Sequence, residues 1–284
     1  MPYLGLLCNA FIWGLSWWPL RHLYEQGLHP VWATLLFFLL GGLLIGVSRP
    51  QAWATVRRTP ALWVLALASG ATNAAFNWGV STGEVVRVVL LFYLMPFWAV
   101  GLAWWLLGER ITRMALVRVG LALGGALLVL RPTGGGWPAF SGLPDWLGLL
   151  GGMGFALTNV MLRRQCAQAP SARALAMFLG GITLPALLGT VLASQAVIPS
   201  LPPLQMSWLL PALVLGVLFF AGNMALQYGA SRLPVHITSV VMLTEVMFAA
   251  ASAVWLGGEV LRPTVLAGGA LIMLAALMAS RDQA

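Results

Sequence analysis

Lysine is absent from this chain, and only seven residues are acidic. Charged residues of all kinds make up 8% of it, against roughly 25% in an ordinary soluble domain. That scarcity excludes a water-soluble globule. Cysteine is almost missing too: Cys8 falls inside the first apolar run and Cys166 just past the sixth, with no metal or disulfide spacing between them. The signatures of hydrolases, metalloproteases and nucleotide-binding loops (GxSxG, HExxH, the P-loop) do not occur. His22, His29 and His236 lie at or near loops and do not cluster. No enzyme activity and no cofactor is therefore expected. A cleavable signal is not visible either, because Met1-Pro2-Tyr3 carries no Arg ahead of the apolar run, which reads as a retained first helix.

Apolar residues take the place of the missing charge. They make up 60% of the 284 residues, and the mean hydropathy is +0.90. Runs at roughly 3–20, 31–47, 61–80, 88–107, 114–130, 146–162, 174–194, 207–228, 236–256 and 264–280 approach the ~20 residues that carry a helix across a bilayer. They lack the alternation of barrel strands, and lipid offers the backbone no hydrogen-bond partner, so helices are required. The expected fold is an all-α integral membrane protein of ten transmembrane helices. Pro, Gly and Arg punctuate the gaps, and no room is left for a soluble catalytic domain.

All 15 basic residues are Arg. Eleven fall on the side of the membrane that holds the N-terminus; Arg21, Arg87, Arg131 and Arg262 fall on the other. The bias places both termini in the cytoplasm, facing anionic lipid. Nucleic acid is not an expected partner, because no basic run with interleaved aromatics exists.

The chain repeats itself. Asn73-Ala-Ala-Phe-Asn77-Trp-Gly79 matches Asn223-Met-Ala-Leu-Gln227-Tyr-Gly229, and Trp105-Leu-Leu-Gly-Glu109 matches Trp255-Leu-Gly-Gly-Glu259 at the same offset. Tyr3-Leu-Gly-Leu-Leu7 matches Trp146-Leu-Gly-Leu-Leu150. Residues 1–131 form one five-span unit, 132–145 a connecting loop and 146–284 a second unit. Five is odd, so the second unit enters from the opposite side. An inverted pair of this kind suggests a transporter whose substrate site lies between the halves.

Polar residues within the spans mark that site, because each is costly in hydrocarbon unless it faces protein or water. Ser69, Asn73 and Asn77 share one helical face; Asn223 and Gln227 repeat it. Asn9, Trp13, Ser16 and Trp17 share a face of the first span, and Phe155 and Asn159 a face of the sixth. Glu245 is the only acid at mid-depth, with Thr238, Val241, Met242, Phe248 and Ser252 on its face. A carboxylate there demands a partner or a proton. It suits proton binding, a substrate ammonium, or a purely structural bond to a neighbouring helix. The expected substrate lining is Asn9, Trp13, Trp17, Asn73, Asn77, Trp78, Asn159, Asn223, Gln227, Tyr228 and Glu245. Glu109 and Glu259 end their helices beside Arg110 and Arg262 and read as interfacial caps and ion pairs. Gly120 and Gly124 have the GxxxG spacing of a close helix contact. Trp53, Trp63, Trp137, Trp146 and Trp208 read as interfacial belt residues, and Tyr93 and Trp98 lie deeper. Pro96 should kink the fourth span, with Pro19 and Pro185 acting similarly.

Trp13-Gly14, Leu94-Met-Pro96 running into Leu107-Gly-Glu-Arg110, and Thr244-Glu245 running into Gly257-Gly-Glu259 resemble the drug/metabolite transporter superfamily, more narrowly its ten-helix EamA-type exporters. The resemblance covers the chain in two copies. It departs from the family pattern at Val246, where Pro follows the Glu, and at Val260, where the last Arg stands. Within the family the chain is most similar to exporters of aromatic amino acids. That implies export of Phe, Tyr, Trp and other neutral amino acids across the inner membrane of a Gram-negative bacterium, with tolerance of flat cationic drugs. A nucleotide-sugar carrier would want Lys or Arg in the cavity, and no Arg lies at mid-depth. A non-transporting membrane subunit would show no solute flux. Oligomeric state and coupling ion are left open.

Overall fold

The computed structural model describes residues 2–108, 110–132, 136–230, 232–233 and 241–281. Secondary structure among them is helical, with no strand. The first unit contains α1 (Pro2–Leu15), α2 (Trp17–Glu25), α3 (Pro30–Ser48), α4 (Gln51–Arg58), α5 (Pro60–Thr82), α6 (Val85–Phe92), α7 (Met95–Leu107) and α8 (Arg113–Val129). The second contains α9 (Leu143–Arg164), which begins inside the segment expected to be the connecting loop, α10 (Pro170–Ser194), α11 (Met206–Ala230), α12 (Thr244–Gly257) and α13 (Pro263–Arg281). Among the described residues, four helical runs, Pro30–Ser48, Val85–Leu106, Pro170–Ser194 and Met206–Leu226, are long and apolar enough to cross a membrane; Thr244–Gly257 and Pro263–Met278 are shorter apolar helices.

Proline sets the starts and breaks. It stands at the first or second position of α3, α5, α7, α9 and α10, where its missing N–H is not needed. The fourth span divides at Tyr93-Leu94, just before Pro96, and the first divides at Ser16, just before Pro19. Both divisions follow from a lost backbone bond and the clash of the ring with the preceding turn. Pro185, in contrast, lies inside α10 without ending it. The short helix α4 was not expected from the sequence; it is a polar, Arg-ended turn lodged against α10.

Packing between the units is two-fold. The first helix of each unit packs on helices of the other: α1 on α11 and α12, and, equivalently, α9 on α5 and α7. Repeat-equivalent helices also meet directly, α3 with α10 and α8 with α13. The two units are thus interleaved rather than apposed. The α8–α13 contact corrects the GxxxG expectation by one residue. Gly120 and Gly124 face open space, whereas a Cβ on Gly125 would lie 2.5 Å from the Gly268 carbonyl oxygen. The glycines that permit close approach are those the neighbouring helix meets, and α8 turns its 122–125–126–129 face toward α13.

The outer surface is apolar. Leu43, Leu116, Leu187, Leu210, Trp105 and Trp255 are all more than half exposed, a coverage that suits lipid and not water. Trp63, Trp137 and Trp146 are exposed, as belt residues would be. Trp208 is not: it is fully buried, and its indole N–H donates to the Pro203 carbonyl at 3.1 Å.

Candidate functional site

The site begins where helices stop. At a break, backbone groups lose their intrahelical partners, and side chains supply replacements. The Ser16 hydroxyl donates to the Trp13 carbonyl at 2.7 Å. Thr244 opens α12 and donates to the Val241 carbonyl at 2.6 Å. Glu245 follows in the first turn of α12, where the positive end of the helix favours an anion. The Tyr93 hydroxyl, at the α6–α7 break, donates to Glu245 Oε2 at 3.4 Å. A carboxylate of the second unit therefore meets a phenol of the first across the seam.

Beside this pair runs a closed crevice bounded by Trp13, Gly14, Ser16 and Trp17, by Phe76 and Val80 of α5, by Val85 and Val89 of α6, and by Glu245 and Ala249 of α12. In this conformation it is too narrow for a water molecule. Among the described residues that line it, Glu245 is the only charged one. Aromatic rings continue from it. Trp13 stacks on Phe219 with centroids 4.4 Å apart and meets Phe76 edge-on, and Phe76 leads on to Phe92, which touches Tyr93 and Phe155. One turn before Trp13, Asn9 is buried with its Oδ1 unpartnered, and its amide N–H reaches only the Met242 sulfur at 3.8 Å. A flat apolar body, an ammonium and a hydrogen-bonding end each find a counterpart here.

The other expected lining residues are distributed more widely. Trp17 is buried at the outer end of the crevice. Asn73 and Asn223, repeat equivalents, are both half-buried, and each donates one turn back, to the Ser69 and Phe219 carbonyls at 2.8 and 2.9 Å. Asn77 is fully buried and donates to Thr34 Oγ1 at 2.9 Å, tying α5 to α3. Trp78 packs edge-on against His29 at 4.7 Å, at the start of α3. Asn159 is exposed on α9, and Tyr228 is exposed with the Arg232 guanidinium 4.0 Å over its ring. The Gln227 side chain lies outside the described residues, as do Glu109, His236 and Thr238.

One family model, that of EamA-like transporters, matches residues 1–131 and again 142–281. The chain belongs to the EamA-like transporter family. Proteins of this family are membrane transporters of small molecules rather than enzymes. Among solved structures, one described only as a protein's crystal structure is similar over 98% of this chain and 96% of its own, at 20% identity and a TM-score of 0.60. That likeness concerns the fold alone. No curated protein matches the chain.

Several further polar contacts of this EamA-like chain lie at the end of the bundle opposite the N-terminus. Arg21 donates to the Val80 and Gly83 carbonyls at 3.4 and 2.7 Å, joining α2 to the end of α5. The Glu259 carboxylate accepts the Val85 and Val86 N–H groups at 2.7 and 3.3 Å, so it caps α6 of the other unit. It is a cap, as its place at a helix end suggested, but it serves a helix across the seam. Arg262 points elsewhere, to the Arg131 carbonyl at 3.0 Å and loosely to Glu84 at 3.9 Å. Arg87 and Asp145 form a buried two-pronged pair with both N–O distances 2.8 Å. The pair is completed by the Val129 and Ala139 carbonyls on the Arg side and by Ser141 on the Asp side. The sequence reading passed over this pair. Its signal was available: Arg87 and Asp145 each stand one residue outside a predicted span, on the same side.

Proposed function

We propose that the chain is a secondary exporter of aromatic and other neutral amino acids. It spans the inner membrane of a bacterium ten times, with both termini in the cytoplasm, and works by alternating access around the seam between its units. The observation that carries this reading is the single carboxylate set among aromatic rings: Glu245, beside Tyr93, faces Trp13 and Phe76 in a crevice free of basic side chains. Glu245 takes the substrate ammonium, the rings of Trp13, Phe76 and Phe219 take its side chain, and the Asn9 amide takes its carboxylate. Asn73, Asn77, Trp78, Asn159, Asn223, Gln227 and Tyr228 line the wider path on the sequence argument. No ATPase module is present in the sequence, so any uphill step draws on an ion or substrate gradient.

The same observation favours one alternative, a flat organic cation, since nothing in the crevice is positively charged to hold a carboxylate. Flux of labelled Phe and Trp in proteoliposomes, with and without a competing flat cation, separates the two. Under the amino-acid reading, Glu245→Gln lowers flux at least tenfold. Unchanged flux in Glu245→Gln and Trp13→Ala removes both residues from the site.

A further inference from the structure

Trp17 borders two spaces. On its inner side lies the closed crevice that holds Glu245. On its outer side lies an open crevice of about 210 Å³, bounded by Trp17, Trp18, Arg21, His22, Glu25, Leu256 and Gly257. We propose that the Trp17 indole is the barrier between the two, and that the outer crevice is the vestibule through which substrate leaves. The proposal rests on the transport reading above and names the residue that closes its exit.

The ring is held from three sides. Its N–H donates to Ser252 Oγ at 2.8 Å, a bond from α2 to α12 across the seam. The Arg21 guanidinium lies 4.9 Å from its centroid on the outer side, and Arg21 is itself fixed to the Val80 and Gly83 carbonyls. The third side is Gly257, where an added Cβ would stand 3.0 Å from the indole Cη2. The ring is 2% exposed, although its neighbour Trp18, on the same crevice, is 54% exposed. Every one of these restraints joins α2 to α5 or to the α12 end, so moving those helices apart releases the ring. A barrier built this way opens with the seam and needs no separate trigger.

Thiol accessibility tests the proposal without relying on flux. Cys8 and Cys166 are replaced by Ser, and Val89→Cys, which lines the inner crevice and is 2% exposed in its native form, becomes the reporter. A membrane-impermeant methanethiosulfonate is applied to each face of the membrane in turn, in vesicles of known orientation. With Trp17 in place, labelling from the face opposite the N-terminus is slow. Trp17→Ala raises that rate at least tenfold, Ser252→Ala raises it less, and Trp18→Ala leaves it unchanged. Equal rates in Trp17→Ala and its parent, with unchanged melting temperature, overturn the proposal. If Trp17→Ala does not fold, Ser252→Ala and Trp17→Phe decide the matter, and no gain in either overturns it. Absence of flux for every solute in the unmodified protein sinks the transport reading and leaves the labelling result standing.

Discussion

Replacing Glu259 by Gln should open the end of the bundle opposite the N-terminus. The Glu259 carboxylate accepts two N–H groups of the α6 N-terminus, at 2.7 and 3.3 Å. Those donors have no acceptor within their own helix, and the positive helix end favours the charge they meet. Gln keeps the length and one acceptor oxygen but loses the charge and the second acceptor. A hydrogen bond to a charged group contributes ~1.5–3 kcal/mol and a neutral one ~0.5–1.5 kcal/mol. The net loss is about 2 kcal/mol, which changes the ratio of closed to open protein at this end about thirtyfold. Arg21, bonded to Val80 and Gly83, and Arg262, bonded to Arg131, still hold the fold together. Spin labels at Thr82 and Val260, both exposed and on opposite sides of the contact, read the opening as a longer distance in pulsed resonance. Glu259→Asp, which keeps the charge and retracts it, should fall between wild type and Gln. An unchanged distance distribution in Glu259→Gln refutes the argument that this carboxylate holds the seam shut.

Asp145→Asn leaves the buried Arg87 without its counter-charge and should cost ~3–5 kcal/mol. The double change Arg87→Met with Asp145→Leu should recover most of it, and thermal unfolding in detergent micelles compares the two. Burial lowers the pKa of His29 to about 4 from its usual 6.5, so the folded chain holds it neutral. This titration leaves stability unaffected above pH 6.5 and lowers it from there toward pH 4, as the unfolded chain binds the proton first; His29→Gln should flatten that part of the melting-temperature profile. Gly125→Val should cost ~1–3 kcal/mol by overpacking against the Gly268 backbone. Gly120→Ala and Gly124→Ala, which meet nothing, should be neutral or stabilising by up to ~1 kcal/mol, as the same melts report.

Much of the chain's framework is a direct reading of its residues. Pro96 and Pro19 each stand just past a helix break because a proline cannot supply the missing bond. The 150-residue repeat foretold that Asn73 and Asn223 would behave alike, and they do, each bonding a carbonyl one turn back. Partnership between helices is harder to see. Periodicity reports which residues share a face, but whether a face meets lipid, a neighbour or a cavity depends on helices distant in sequence. Gly120 and Gly124 have the right spacing on the wrong face. Asn77 has the depth of a binding residue and donates to Thr34. The Trp17–Ser252 and Glu259–α6 contacts join residues far apart in the chain, and no local pattern announces them.

A duplicated sequence also leaves open how its two ends differ. By the register that aligns Tyr3 with Trp146, Arg21 corresponds to Arg164. Arg21 is bound to two carbonyls at one end of the bundle, whereas Arg164 is exposed at the other. The helix packing obeys the two-fold relation, and the polar ties described above lie at the Arg21 end. Unequal circumstances for equivalent residues are what one state of the proposed alternating-access cycle would display. If the halves exchange these roles, Arg164 should gain buried carbonyl partners as Arg21 loses them. A guanidinium-specific reagent would then modify Arg164 more slowly in Glu259→Gln than in the parent, and Arg21 faster. Parallel changes at both residues would mean that the ends do not alternate.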